Sequence, residues 1–354
     1  MGTYTEAYLD WVEEKRAKRD EGFANYARRF YVSSLGSCPR KQVLQRDNVP
    51  GRPMTRKKKR FFEDRSALHD LRVQAWWDKG LALTADLPEG HRDRETARFR
   101  LTPYLPEHFG GRPDIVDHGA DPKDAEYLRG CFRRMLQAHA QGEGWERYAE
   151  ELRQVGVSVA DAKTSRPGQA KYVKDGPKLK DLGQVSRYAH CLNDAFALGV
   201  TEVRIVYCMI GSEEDDFEHV VPLPDKGETG IEADEALLVE YWVRYMNSPQ
   251  EDPWQRDLPP VMPLEVEVAK ESYERDKKKL WRDSIRLRTH YDCDGYCPYS
   301  DHGCAPVKSK LQKGDLLGVV QEDGTWVYAS DLCEKAGFVI PEGALSLGSK
   351  ELLR

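Results

Sequence analysis

The run from Gly156 to Pro224 most constrains the fold. GVSVADAKTS reads as a short strand dominated by Val and Ala, and a basic loop from Arg166 to Lys180 follows it. DLGQVSRYAHCLNDAFALG then has the apolar spacing of a helix, ended by Gly199, and TEVRIVYCMIG and FEHVVPLP return to strand character. Upstream, ARFRLTPYL and RPDIVDHG read as extended, and the stretch from Asp124 to Val155 reads as a helical insertion between strand candidates. The order helices, strand pair, strand, helix, strand, strand, helices predicts an α/β chain: a mixed central sheet flanked by helices.

The remaining segments are read in the same way. Residues 4 to 30 carry Tyr8, Trp11 and Val12 at helical spacing, and SSLGSCPRK is a turn before a helix with Pro39 in its first turn. Arg60 to Gly80 is strongly helical, with Gly80 as its stop, and Glu232 to Met246 and Glu271 to Arg288 are expected to be helices too. KGDLLGVVQEDGTWVYAS resembles a hairpin turning at Asp323-Gly324. Three parts are therefore expected: an N-terminal helical segment over 1–32, a main domain over 33–306, and a small C-terminal appendage over 307–354.

At 354 residues the chain can bury a substantial core. With 40% hydrophobic and 32% charged residues it is neither a disordered nor a membrane composition, and no apolar run approaches bilayer length. The charged, amphipathic N-terminus does not read as a signal peptide, so a soluble intracellular protein is expected. The formal charge of -6 gives no global sign of a nucleic-acid partner. Local basic runs do: GRPMTRKKKR, and ERDKKKLWRDSIRLR from Lys277 to Arg288, although solvated helix faces would look the same.

Eight cysteines without a secretory signal favour reduced thiols over disulfides. Cys131, Cys191, Cys208 and Cys333 sit among apolar neighbours and read as small buried hydrophobes. Cys293, Cys297 and Cys304 are crowded into DCDGYCPYSDHGC, a density that points to metal or cluster ligation. Three thiolates do not complete a tetrahedral site, so a fourth ligand is required from elsewhere.

In VADAKTS, the strand period of two puts Asp161 and Lys163 on one face with Ala162 pointing away. A carboxylate there suits a hard divalent cation, and the ammonium beside it can orient a water or offset phosphate charge. Asp114 in GRPD offers a second carboxylate. Gln184 and Tyr188 lie four apart on the following helix, and His69 on an upstream helix could add a nitrogen ligand. Each has an ordinary alternative: His69 is flanked by Leu68 and Leu71 as a core histidine would be, and Gln184 and Tyr188 could be a plain helix pair.

Taken in order, His69, Gly111-x-x-Asp114, Asp161-x-Lys163 and Gln184-x-x-x-Tyr188 resemble the PD-(D/E)XK nucleases of the RecB-like branch with an iron-sulfur cluster, such as the CRISPR-associated adaptation exonucleases and AddB-type nuclease domains. The resemblance covers about residues 33 to 306. It implies a restriction-endonuclease-like fold and a metal-dependent deoxyribonuclease. The implied activity is an exonuclease on single-stranded DNA or DNA ends, 5′ to 3′ by analogy, serving phage replication and recombination, DNA repair or CRISPR adaptation. His69, Asp114, Asp161 and the Ala162 carbonyl would hold Mg2+ or Mn2+, while Lys163 would position the attacking water and Gln184 and Tyr188 would orient the strand or the lysine. Cys38 would join Cys293, Cys297 and Cys304 around a [4Fe-4S] cluster joining the N- and C-terminal parts, with a zinc site as the alternative.

The loop residues Arg166, Lys171, Tyr172 and Lys174 would track a DNA backbone and stack a base. DNA is the expected partner, with a protein partner in the same pathway, no membrane, and a cytoplasmic location in a prokaryote or a phage-infected host. Two features depart from the family pattern: the looser C-x3-C-x6-C spacing and the long insertion from Asp121 to Gln154. A second reading is a non-catalytic DNA-binding module that keeps the fold and the cluster.

Overall fold

The computed structural model describes residues 10, 11, 14, 29–165, 172–209, 216–260, 265–275, 278–288, 297–299, 316–320, 325–330, 332, 333, 340 and 345–347. The chain divides into two compact units. The first comprises Met1–Gly36, Gln42–Asn48 and Met54–Glu251, and the second Ser37–Lys41, Val49–Pro53 and Asp252–Arg354.

The first unit is a mixed α/β layer structure. Its sheet has five strands in the order β1 (Ala82–Ala85), β2 (Ile115–His118), β3 (Val157–Ser165), β4 (Glu202–Met209) and β5 (Phe217–Pro222). All neighbours are antiparallel except β3 and β4, which run parallel with Asp161 opposite Ile205 and Lys163 opposite Tyr207. A parallel pair needs a crossover, and the helix between Leu179 and Phe196 supplies it.

One face of the sheet is built for close approach. Ala160 and Ala162 of β3 and Ile115 of β2 pack with Val73 and Trp77 of the long helix Arg56–Asp78 and with Ala82 and Ala85 of β1. Small side chains on the strand let that helix sit low on the sheet. Thr55 caps its start by accepting from the Lys58 amide. Gly80, at φ +72, turns the chain just past its end, where a Cβ would stand 2.8 Å from the Pro122 carbonyl oxygen.

Several expectations are corrected. ARFRLTPYL forms no strand; it contains a 3-10 turn at Thr102–Tyr104, and the edge of the sheet is instead β1, a segment the sequence does not single out. The insertion is two helices, Ala125–Gln141 and Glu146–Val155, because Gly142 takes φ +70 and breaks the run. Buried Arg129 ties the first of them down, donating to the carbonyls of Ala82 at 2.9 Å and Trp77 at 2.6 Å with its guanidinium 3.5 Å over the Trp77 ring. The crossover helix stops at Phe196, before Gly199, where Ala197 is left-handed and Asn193 brackets Val200 with two hydrogen bonds. The expected helix over residues 4 to 30 lies almost wholly outside the described residues.

In the second unit, the stretch expected to be helical from Glu271 to Arg288 is two antiparallel strands, β6 (Glu265–Arg275) and β7 (Lys278–Arg288). In this register Glu267 stands opposite Arg286, Lys270 opposite Asp283 and Glu271 opposite Arg282. The expected hairpin strands are present as β8 (Leu316–Val320) and β9 (Trp326–Ala329), paired Val320 to Trp326, and their Asp323-Gly324 turn lies outside the described residues. β8 pairs with β7, and β10 (Leu345–Leu347) adds to β9, so segments on both sides of residue 306 share one sheet. Among the described residues no helix is long and apolar enough to cross a membrane.

Candidate active site

β3 carries Asp161 and Lys163 on the face opposite the helix-packed alanines, as the strand period requires. Asp161 is 2% exposed, so its charge must be answered locally. Lys163 Nζ lies 2.6 Å from Asp161 Oδ2 and donates to Gln184 Oε1 at 2.8 Å. Gln184, on the crossover helix, returns a longer bond from Nε2 to Asp161 Oδ1 at 3.4 Å. Its amide thus bridges both ends of the strand motif, holding the lysine with its carbonyl and the carboxylate with its nitrogen.

Asp114 joins from the start of β2. His69 Nε2 is 2.9 Å from its Oδ2, and the Ala162 amide donates to the same oxygen at 3.0 Å. His69 Nδ1 in turn faces Asp70 Oδ1 at 3.5 Å. One turn earlier on the same helix, Arg65 donates from Nε to Thr164 Oγ1 at 2.8 Å and from Nη2 to the Thr164 carbonyl, anchoring the helix to β3 beside Lys163. The histidine is therefore positioned by the strand it faces.

Tyr188 is 2% exposed and packs over Gly111, where a Cβ would stand 2.7 Å from its ring. The glycine of GRPD is thus the space that the tyrosine of the helix occupies. Burial, with the charges of Asp161 and Asp114 behind it, holds the phenol well above its ordinary pKa, and a bond to the Arg112 backbone only partly offsets this. Tyr188 stays protonated and serves as a neutral donor.

The carboxylates divide their roles. Burial raises Asp161 to about 7, against the pull of Lys163 and with the push of Asp114. Burial would raise Asp114 as well, but the His69 charge and hydrogen bond, a hydrogen bond from Asp161 and Lys163 hold it well below the usual range. Two adjacent acids cannot both ionise cheaply in a buried site, so the pair is pushed apart, Asp161 upward and Asp114 downward. Burial alone would lower His69, yet Asp114 and Asp70 outweigh it and push the imidazole up to about 10. Lys163 is kept charged above its ordinary value, burial being outweighed by Asp161 and Asp114.

Among the described residues no three His, Cys, Asp or Glu side chains already stand at metal-holding spacing. The donor set still fits a hard divalent cation: two neighbouring buried carboxyls, one of them with an imidazole beside it, and the buried Asp161 Oδ2 accepts no hydrogen bond among the described residues.

The other expected residues are placed as follows. Tyr172 is 65% exposed and Lys174 is exposed on the loop before the crossover helix, while Arg166 and Lys171 lie outside the described residues. Cys38 and Cys297 are buried and belong to the same unit, whereas Cys293 and Cys304 lie outside the described residues. Around Cys297, the Arg52 amide donates to the Pro298 carbonyl at 2.7 Å, Tyr299 Oη donates to the Val49 carbonyl at 2.9 Å, and Gly51 leaves room for Pro298. The segment that follows Cys38 and its helix is thus sewn directly to the segment carrying Cys297. No known family model, curated protein or solved structure matches the chain.

Proposed function

We propose that the protein is a divalent-metal-dependent deoxyribonuclease of the PD-(D/E)XK type, acting as a 5′-to-3′ exonuclease on single-stranded DNA or DNA ends, with a [4Fe-4S] cluster on Cys38, Cys293, Cys297 and Cys304. The observation that carries this reading is the single bonded network of His69, Asp114, Asp161, Lys163 and Gln184, drawn from one helix, two neighbouring strands and the crossover helix. A mixed sheet flanked by helices, with Tyr188 packed on the glycine of GRPD, supports the same reading.

In this mechanism His69, Asp114, Asp161 and the Ala162 carbonyl would hold Mg2+ or Mn2+, which when bound would supply Lewis-acid polarisation of a phosphoryl oxygen. Lys163, kept charged and aimed by Gln184, orients the attacking water and offsets the charge that develops on the phosphate. Tyr188, kept neutral, donates without adding negative charge beside a polyanion.

The test is degradation of 5′-labelled and 3′-labelled single-stranded DNA in manganese, wild type beside Asp161→Ala, both purified anaerobically. Cutting by wild type alone establishes the site, and comparing the labels gives the polarity. If neither protein cuts while both bind DNA in chelator, the nuclease reading fails and a DNA-binding module takes its place.

A further inference from the structure

Beside the acidic network lies a second cluster that the proposed chemistry does not use. Asp86 directly follows β1, and its amide donates to the Asp114 carbonyl at 2.9 Å, which fixes the strand end to the metal-ligand motif. Its carboxylate is gripped from two sides: Arg112 Nη2 bonds to Oδ2, and Arg98 Nε lies 3.7 Å from Oδ1. Exposure alternates along this stretch, with Gly111 and Pro113 buried and Arg112 and Asp114 partly open, so Arg112 and Asp114 face the same side.

Two arginines thus share the one Asp86 carboxylate. Arg98 Nε is shielded from solvent and has no hydrogen-bond partner among the described residues, so its contact with Asp86 is an ion pair only. The Arg112 side chain remains 36% exposed, so part of its donor fork faces outward.

We propose that Arg98 and Arg112, splayed by Asp86, form a clamp for a phosphate group of the nucleic acid next to the scissile one. Guanidinium forks match phosphate oxygens in geometry and charge, and the Asp86 carboxylate holds one nitrogen of each arginine in place before the phosphate arrives. The ligand is identified through the nuclease reading, on which this assignment rests. The phosphate is either a terminal monoester at the DNA end or an internal diester.

The experiment measures anisotropy of 5′-phosphorylated, 5′-hydroxyl and 3′-phosphorylated single-stranded oligonucleotides in EDTA, with wild type, R98Q and R112Q. Each substitution should weaken binding about tenfold, or about 1.4 kcal/mol. A loss confined to one phosphorylated end assigns a terminal monoester, and an equal loss on all three assigns an internal diester. Unchanged affinity on all three overturns the clamp. Wild type that cuts in manganese while both variants bind normally fails the clamp alone; wild type that never cuts yet loses affinity on substitution fails the nuclease reading alone. Should R112Q not fold, phenylglyoxal modification of wild type replaces it: the oligonucleotide should protect Arg98 and Arg112, and equal labelling with and without it overturns the assignment.

Discussion

Gly111 shows how far a single residue's role depends on one it never meets in sequence. Its missing side chain is the volume filled by the Tyr188 ring, 77 positions later, so the two motifs are one packing unit. Gly111→Ala should therefore destabilise the protein by about 1–3 kcal/mol, the usual range for overpacking. Urea denaturation of Gly111→Ala, Tyr188→Ala and the double variant checks this. The penalty of the alanine should largely vanish once the ring is gone, and an undiminished penalty would place its cause in the backbone. Asp161 and Lys163 were legible from the strand period alone, because alternation decides which face a side chain takes. Arg65, Asp86, Arg98 and the fork of Arg112 were not, because nothing periodic marks a residue whose partner lies on another element.

At the level of elements, the crossover helix Leu179–Phe196 must be held from both sides to keep Gln184 on the strand motif. On its outer side Arg187 Nε donates to Glu235 Oε1 of the helix Ile231–Asn247 at 2.7 Å, with the two side chains 11% and 8% exposed. Removing one member of such a pair strands a buried charge, so Arg187→Ala should cost about 3–5 kcal/mol. Replacing both members with apolar residues should cost much less than that, and thermal melts of Arg187→Ala beside Arg187→Met with Glu235→Leu make the comparison. Equal losses would show that packing, not the unpaired carboxylate, dominates. The stretch from Glu271 to Arg288 depends on contacts between elements in the same way. Trp281 and Ile285 lie four apart and Leu280 and Leu287 seven apart, which satisfies a helix, while Ile285 and Leu287 satisfy a strand. Pairing with β6, a contact that propensity cannot see, settles it.

For the whole molecule, the arrangement of the second unit matters most. Ser37–Lys41 and Val49–Pro53 belong with Asp252–Arg354, so Cys38 and Cys297 share a unit although most of the chain separates them. Under the proposed ligation, Cys38→Ser should remove the brown colour and the bound iron and lower the melting temperature. Metal analysis and absorbance of anaerobically purified protein check it: zinc in place of iron assigns the alternative site, and full iron with unchanged stability removes Cys38 from the ligand set. The sequence by itself determined the mixed α/β class of the first unit, the shared face of Asp161 and Lys163, and the helix pair Gln184 and Tyr188, since hydrophobic period and residue spacing act over a few residues. Only the tertiary structure decided that β1 forms the sheet edge, that β6 and β7 are strands, that Gln184 bridges Asp161 and Lys163, and that two arginines converge on Asp86 beside Asp114. Those outcomes depend on burial, on strand register and on charges meeting across long sequence separations, which local propensity does not encode.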